Sequence, residues 1–277
     1  MIITKISDGL GNQLFMYACG YAAAKNLQTP LLLDISYLDN STLRQFELDK
    51  LNIQYKSIFS TRKLRFYPLK IIYRRLYHTY LKIKHFHFFR EKQTYIFDSQ
   101  FTKLGKKTYL FGYWQTEKYF KTYRSDFIRM FTPNYKLSLD CERYIKIVQQ
   151  SNSVAIHVRR GDYVNLGICL DKSYYHQALL KIEEYVENPQ YFIFSDDLEF
   201  SKHLFKEEKG EFTYIQYEST NHTLEDFFIM KSCKHIIMAN SSFSWWAAWL
   251  NDNPSKIVIH PHNRETNDFY PTEWLAL

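Results

Sequence analysis

Residues 154–162 read Val154-Ala155-Ile156-His157-Val158-Arg159-Arg160-Gly161-Asp162: a short, mostly apolar run that ends in charge and a glycine. Such a run, Val154 to Val158, with turn chemistry directly after it, predicts a strand and its exit. Working outward, a helix over Asp140 to Gln150 precedes it and a helix over Ser173 to Glu187 follows. Strand Tyr191 to Ser195, a further helix and strand Phe212 to Gln216 come next. Helix Leu224 to Ser232, strand His235 to Ala239, helix Phe243 to Leu250 and strand Lys256 to His260 complete the series. Short apolar strands alternating with helices predict an α/β fold with a parallel sheet covered on both faces. The N-terminus repeats the pattern: strand Ile2 to Ile6, glycine turn Asp8 to Asn12, helix Gln13 to Asn26, strand Pro30 to Asp34. Between about residues 40 and 135 no regular alternation is visible. With 277 residues and about 150 per domain, two domains are expected, 1–145 and 146–277.

The composition, 45% apolar and 23% charged, is that of a globular protein and excludes global disorder, collagen and coiled coil. The net charge of +7 is concentrated: residues 60–92 hold ten Lys or Arg against one acid, Glu91, a local +9 that leaves the rest of the chain at −2. Four dispersed cysteines, with no C-x-x-C pair, predict neither a disulfide framework nor a zinc site and favour a reducing compartment. Neither a signal-peptide pattern nor a stretch of membrane-spanning length is present, so a cytoplasmic location is expected.

In open parallel sheets, ligands sit beyond the carboxyl ends of the strands, and the polar clusters fall there. At the first, period-2 alternation puts His157 and Arg159 on one face and Arg160 on the other. A guanidinium fork suits a diphosphate, while an Arg–Asp structural ion pair is the competing interpretation. At the second, Asp196-Asp197 could bind a metal, accept bonds from a base or ribose, or cap the next helix. At the third, Asn240-Ser241-Ser242-Phe243-Ser244 opens a helix and offers either a cap or an anion site, with Trp245 and Trp246 in the core. Gly9-Leu10-Gly11-Asn12 lacks the third glycine of the dinucleotide fingerprint, and no P-loop exists.

Together these motifs resemble the bacterial α-1,2-fucosyltransferases, glycosyltransferase family 11. The resemblance spans GLGNQLFMYA near the start, GYWQTEKYF at 112–120, HVRRGDYV at 157–164, FIFSDD at 192–197 and the segment from Asn240 to Leu250. It implies a GT-B architecture of two Rossmann-like halves facing a cleft, the C-terminal half binding GDP-fucose, with inversion at the sugar and no cofactor or metal. Carried over by residue, Arg159 grips the diphosphate with His157 beside it, and Asp196 or Asp197 contacts guanine. Ser242, Phe243 and Ser244 form the phosphate-binding helix start, and Gly11 and Asn12 approach from the other domain. Asp8 departs from the family's glycine and is assigned, with Trp114, to the acceptor side. Asp162 is the candidate base, or else a lock for Arg159 or Arg160.

The acceptor expected from the resemblance is a terminal galactose or related sugar of a surface polysaccharide precursor, such as an O-antigen, or of a host-like oligosaccharide. The basic insert suggests peripheral attraction to anionic lipid on the inner membrane face, against the alternative of a solvated helical face. Competing readings are another linkage or a noncatalytic glycan-binding protein. Nucleic-acid binding is disfavoured, since no recognised module accompanies the basic run.

Overall fold

The computed structural model describes residues 1–38, 41, 44–59, 67–262 and 267–277. The chain divides into two compact units, one of residues 1–135 with 267–269, the other of 136–266 with 270–277.

In the first unit, β1 (Ile2–Lys5), α1 (Leu10–Asn26), β2 (Leu31–Asp34) and β3 (Lys56–Phe59) are followed by α2 (Tyr67–Ile83). Then come β4 (His87–Arg90), β5 (Thr108–Phe111) and α3 (Arg124–Met130). The strands make a five-stranded parallel sheet in the order β3-β2-β1-β5-β4. Ile2 and Ile3 point to opposite faces and are both fully buried, because α1 covers one face and α2, through Leu81 and Tyr77, the other. Phe269 returns from late in the chain into this core, near Phe15 and Tyr95. Its neighbour Asp268 accepts from Phe97 N at 2.9 Å and from Lys118 Nζ at 2.6 Å.

The second unit holds α4 (Leu139–Gln150), β6 (Ser153–Val158), α5 (Gly161–Leu166), α6 (Lys172–Glu183) and β7 (Gln190–Ser195). It continues with α7 (Leu198–Leu204), β8 (Glu211–Tyr214), α8 (His222–Ser232), β9 (His235–Ile237), α9 (Ser242–Leu250), β10 (Val258–His260) and β11 (Leu275–Ala276). Its six-stranded sheet, β11-β10-β9-β6-β7-β8, is parallel throughout. All six residues of β6 are buried.

Four expectations are corrected. The boundary lies at 135/136, not 145, because α4 is tied to α8: buried Glu225 accepts from Ser138 N at 3.0 Å and Ser138 Oγ at 2.6 Å. The first helix begins at Leu10, with Gly9 as its N-cap, so Gly11 and Asn12 lie in its first turn rather than in a loop. The segment after residue 40 is not irregular, since β3, α2, β4 and β5 complete the first sheet. The turn after β6 winds into the short helix α5. Arg62, Lys63 and Arg65 of the basic insert lie outside the described residues.

Candidate active site

The chain leaves β6 in one direction to build β7 and β8, then returns to the other side of β6 with β9. The carboxyl ends of β6 and β9 therefore flank the point where the winding reverses, and connections diverge there to leave a crevice. The three predicted clusters of this unit meet at that edge.

Arg159 is held between two carboxylates: Nη1 donates to Asp196 Oδ2 at 2.5 Å, and Nη2 donates to Asp162 Oδ1. Asp196 also accepts from the Arg160 backbone N at 2.8 Å. A guanidinium carries five N–H groups, so among the described residues the bonds to Asp196 and Asp162 leave three for a ligand. Gly161 is required by this packing, since a Cβ there would lie 2.6 Å from Asp196 Oδ2. Arg160 points elsewhere, stacked over Phe200 at 3.7 Å and 3.8 Å from Asp197. Asp197 caps α7, accepting from Phe200 N at 3.0 Å. Asp196 thus bonds Arg159 and the Arg160 amide, and Asp197 caps the helix.

His157 is buried, and burial next to the Arg159 charge lowers its pKa to about 3, so its imidazole is neutral at ordinary pH. Among the described residues its Nδ1 has no hydrogen-bond partner although it is shielded from water. Its ring lies 5.5 Å from that of Phe243, in the first turn of α9. A buried polar atom left unsatisfied costs free energy, so His157 is held in place against a local penalty. Asn240 joins the two strand ends: its carbonyl accepts from Tyr163 OH at 3.2 Å and its Nδ2 donates to Ile168 O at 2.9 Å. The cap of α9 is Ser241, whose Oγ accepts from Phe243 N at 3.2 Å, and α9 starts at Ser242. The Ser244 hydroxyl is buried and spent on Ala239 O and Ser241 O, and the Phe243 N–H on Ser241 Oγ, so this helix start offers an anion the N–H groups of Ser242 and Ser244 and the Ser242 hydroxyl. The ionic cluster has two cations and three carboxylates, which leaves directional N–H donors, rather than net charge, to hold an anion.

In the first unit the reversal falls between β1 and β5. Asp8, at φ +64°, accepts from Ser7 Oγ at 2.8 Å, Tyr113 OH at 3.1 Å and Tyr37 OH at 3.5 Å. Burial and the Asp8 charge push the Tyr113 phenol up to about 12. Asn12 Oδ1 accepts from Gln115 Nε2 at 2.8 Å. The assignment of Trp114 to the acceptor side is corrected: at φ +58° its ring turns inward, fully buried and stacked on Phe89 at 5.6 Å. Tyr113, partly exposed beside Asp8, occupies the position expected of it.

Two supporting residues escape sequence reading. Glu91 accepts from the N–H groups of Tyr113 (2.7 Å) and Trp114 (2.9 Å), fixing that turn, and burial raises its pKa against those bonds. Gln13 is fully buried, donates to Asp8 O and Gln45 O, and accepts from Glu47 N. A polar residue inside an otherwise apolar helix was the available signal for Gln13. Among the described residues, no group of His, Cys, Asp and Glu could hold a metal ion, and no helix is long and apolar enough to cross a membrane.

The family model described as glycosyl transferase family 11 matches residues 1–277. An α-1,2-colitosyltransferase of Escherichia coli is 31% identical, covering 100% of this chain and 99% of its own length. The O-antigen biosynthesis glycosyltransferase WbnK of Escherichia coli is also 31% identical, over 92% of each chain. A galactoside α-(1,2)-fucosyltransferase 2 of Sus scrofa is 24% identical over 53% of this chain and 46% of its own. Among solved structures, an Arabidopsis thaliana FUT1 mutant in complex with GDP aligns with a TM-score of 0.54 at 13% identity, covering 96% of this chain and 72% of that one. The fold is GT-B-like, and the chain belongs to glycosyltransferase family 11.

Proposed function

We propose that the protein transfers L-fucose from GDP-β-L-fucose to the 2-hydroxyl of a terminal galactose, or related sugar, of a surface-glycan precursor, inverting the anomeric centre to an α-1,2 linkage. The observation that carries this reading is Arg159, fixed at the end of β6 with N–H groups to spare, beside neutral His157 and across from the start of α9. In the transfer, the bond from C1 to the β-phosphate oxygen breaks, its electron pair leaving on GDP. The acceptor O2 bonds to C1 from the opposite face and loses its proton. Negative charge grows on the β-phosphate, where Arg159 and the amides of α9 stabilise it without a metal. His157, neutral at ordinary pH, packs beside Arg159 and helps to position the donor. Asp162, the candidate base, touches Arg159 in the resting structure and acts as a positioning residue. GDP leaves well enough that the proton can depart once the new bond has begun to form. On the acceptor side, Asp8 with the hydroxyls of Tyr113 and Tyr37 offers a hydrogen-bonding set suited to a sugar.

A second reading concerns the donor alone. The α-1,2-colitosyltransferase relative favours colitose, which is L-fucose without its 3-hydroxyl. Incubation of the protein with GDP-fucose or GDP-colitose and a panel of galactosides, with the product linkage determined by NMR, separates the two. Fucose on O2 in the α configuration is the expected product. Preferred colitose transfer selects the second reading, and absence of transfer from either donor, with GDP failing to raise the Tm, overturns both.

A further inference from the structure

Helix α2 presents two apolar faces, and the fold uses one. Leu81 and Tyr77 face the sheet with Ile3 and Tyr109, and the ring of His78 lies 5.4 Å from that of Tyr109. On the far side Ile72, Leu76, Tyr80 and Ile83 follow one another at helical spacing and are 52%, 63%, 51% and 67% exposed, with Tyr73 alongside at 50%. The strip next to this stripe carries Arg75 and Lys82. Among the described residues neither has an ion-pair partner, and the one ion pair formed by a cation of 70–92 is Lys92 with Asp98 at 3.3 Å. The stretch's single acid, Glu91, is turned onto the amides of Tyr113 and Trp114 and neutralises none of them.

We propose that α2 is an in-plane membrane-surface helix that docks the protein on an anionic lipid bilayer, its Ile72–Leu76–Ile83 stripe entering the interface and Arg75 and Lys82 meeting the headgroups. An exposed aliphatic stripe bordered by unpaired cations, with no outward-facing acid on the helix, is the pattern such helices need. Charge decides the occupant. A second copy of the chain docked through the same stripe would bring its cations against these, and a nucleic acid would make use of the aromatics but not of isoleucine and leucine. Long aliphatic residues next to cations fit acyl chains beneath anionic headgroups.

The test is co-sedimentation with vesicles of phosphatidylcholine mixed with phosphatidylglycerol and with vesicles of phosphatidylcholine alone, at low and high salt. No sugar is present, so the result is independent of the transfer reaction. The wild type is expected to bind the mixed vesicles and to be released by salt. Arg75→Gln with Lys82→Gln is expected to bind about 25-fold more weakly, about fivefold for each cation. Ile72→Glu with Leu76→Glu is expected to abolish binding with an unchanged Tm, since both side chains are exposed in the folded protein. Wild-type protein that ignores anionic lipid, or variants that bind as the wild type does, overturn the proposal. So does a lipid-free dimer, seen by analytical ultracentrifugation, that the Ile72→Glu, Leu76→Glu pair dissociates while vesicles go unbound.

Discussion

Replacing Gly161 by alanine tests how Arg159 is aimed. The added Cβ would sit 2.6 Å from Asp196 Oδ2, and ordinary contact requires the carboxylate to retreat by about 0.8 Å. Asp196 accepts from both Arg159 Nη1 and the Arg160 amide, so the retreat strains two charge-assisted bonds together. Discounted for partial exposure of the pair, that is about 2 kcal/mol of lost positioning. A misplacement near 1 Å costs on the order of 100-fold in rate. We therefore expect kcat/KM for the sugar nucleotide to fall by roughly 30- to 100-fold. The Tm should change little, because alanine in the first turn of α5 recovers up to about 1 kcal/mol of helix propensity. The assay is initial-rate transfer alongside a thermal melt with and without GDP. Turnover within threefold of wild type, with an unchanged response to GDP, would show that Asp196 does not aim Arg159.

Arg159→Ala is expected to lose on the order of 10²–10³ in kcat while still folding; a melt and a rate measured on one preparation decide this. Activity should survive excess EDTA, and loss restored by Mg²⁺ or Mn²⁺ would count against arginine as the charge-stabilising group. The folded pKa of His157, about 3, lies below its ordinary 6.5, so the stability gained by keeping it neutral is fully present above pH 6.5 and is lost as pH falls toward 3. Urea melts between pH 7 and pH 4.5 should show the wild type losing up to about 1.4 kcal/mol per pH unit more than His157→Gln; parallel curves would contradict the assignment. Glu91→Ala strands two amides and should cost about 2–4 kcal/mol, read from denaturant unfolding, with Glu91→Gln recovering part of it.

The second unit was legible in the sequence because its strands are continuous apolar runs whose polar exits stand out. His157, Arg159, Asp196 and the start of α9 were found in that way, and the structure brings them to one edge. The region from 40 to 135 resisted because β3, Lys56–Phe59, lacks a run of apolar residues, and β4, His87–Arg90, reads as part of a basic, aromatic insert. Periodicity shows that α2 has apolar faces but not which of them another element covers, so the exposed stripe became visible only in the fold. Trp114 was assigned to the acceptor side although its ring is buried. Its positive φ, imposed where Glu91 holds two consecutive amides, is a tertiary effect that no local pattern encodes.

Phe269 and Asp268 carry a consequence for how this protein is made. The first unit's core takes in Phe269, more than 130 residues downstream of the rest of that unit, so the unit's contacts are complete only once position 269 has been synthesised. A fragment ending at residue 135 is born with an empty socket beside Phe15 and Tyr95 and with Lys118 missing its partner. Any attempt to express, swap or graft this half has to bring the short returning peptide with it.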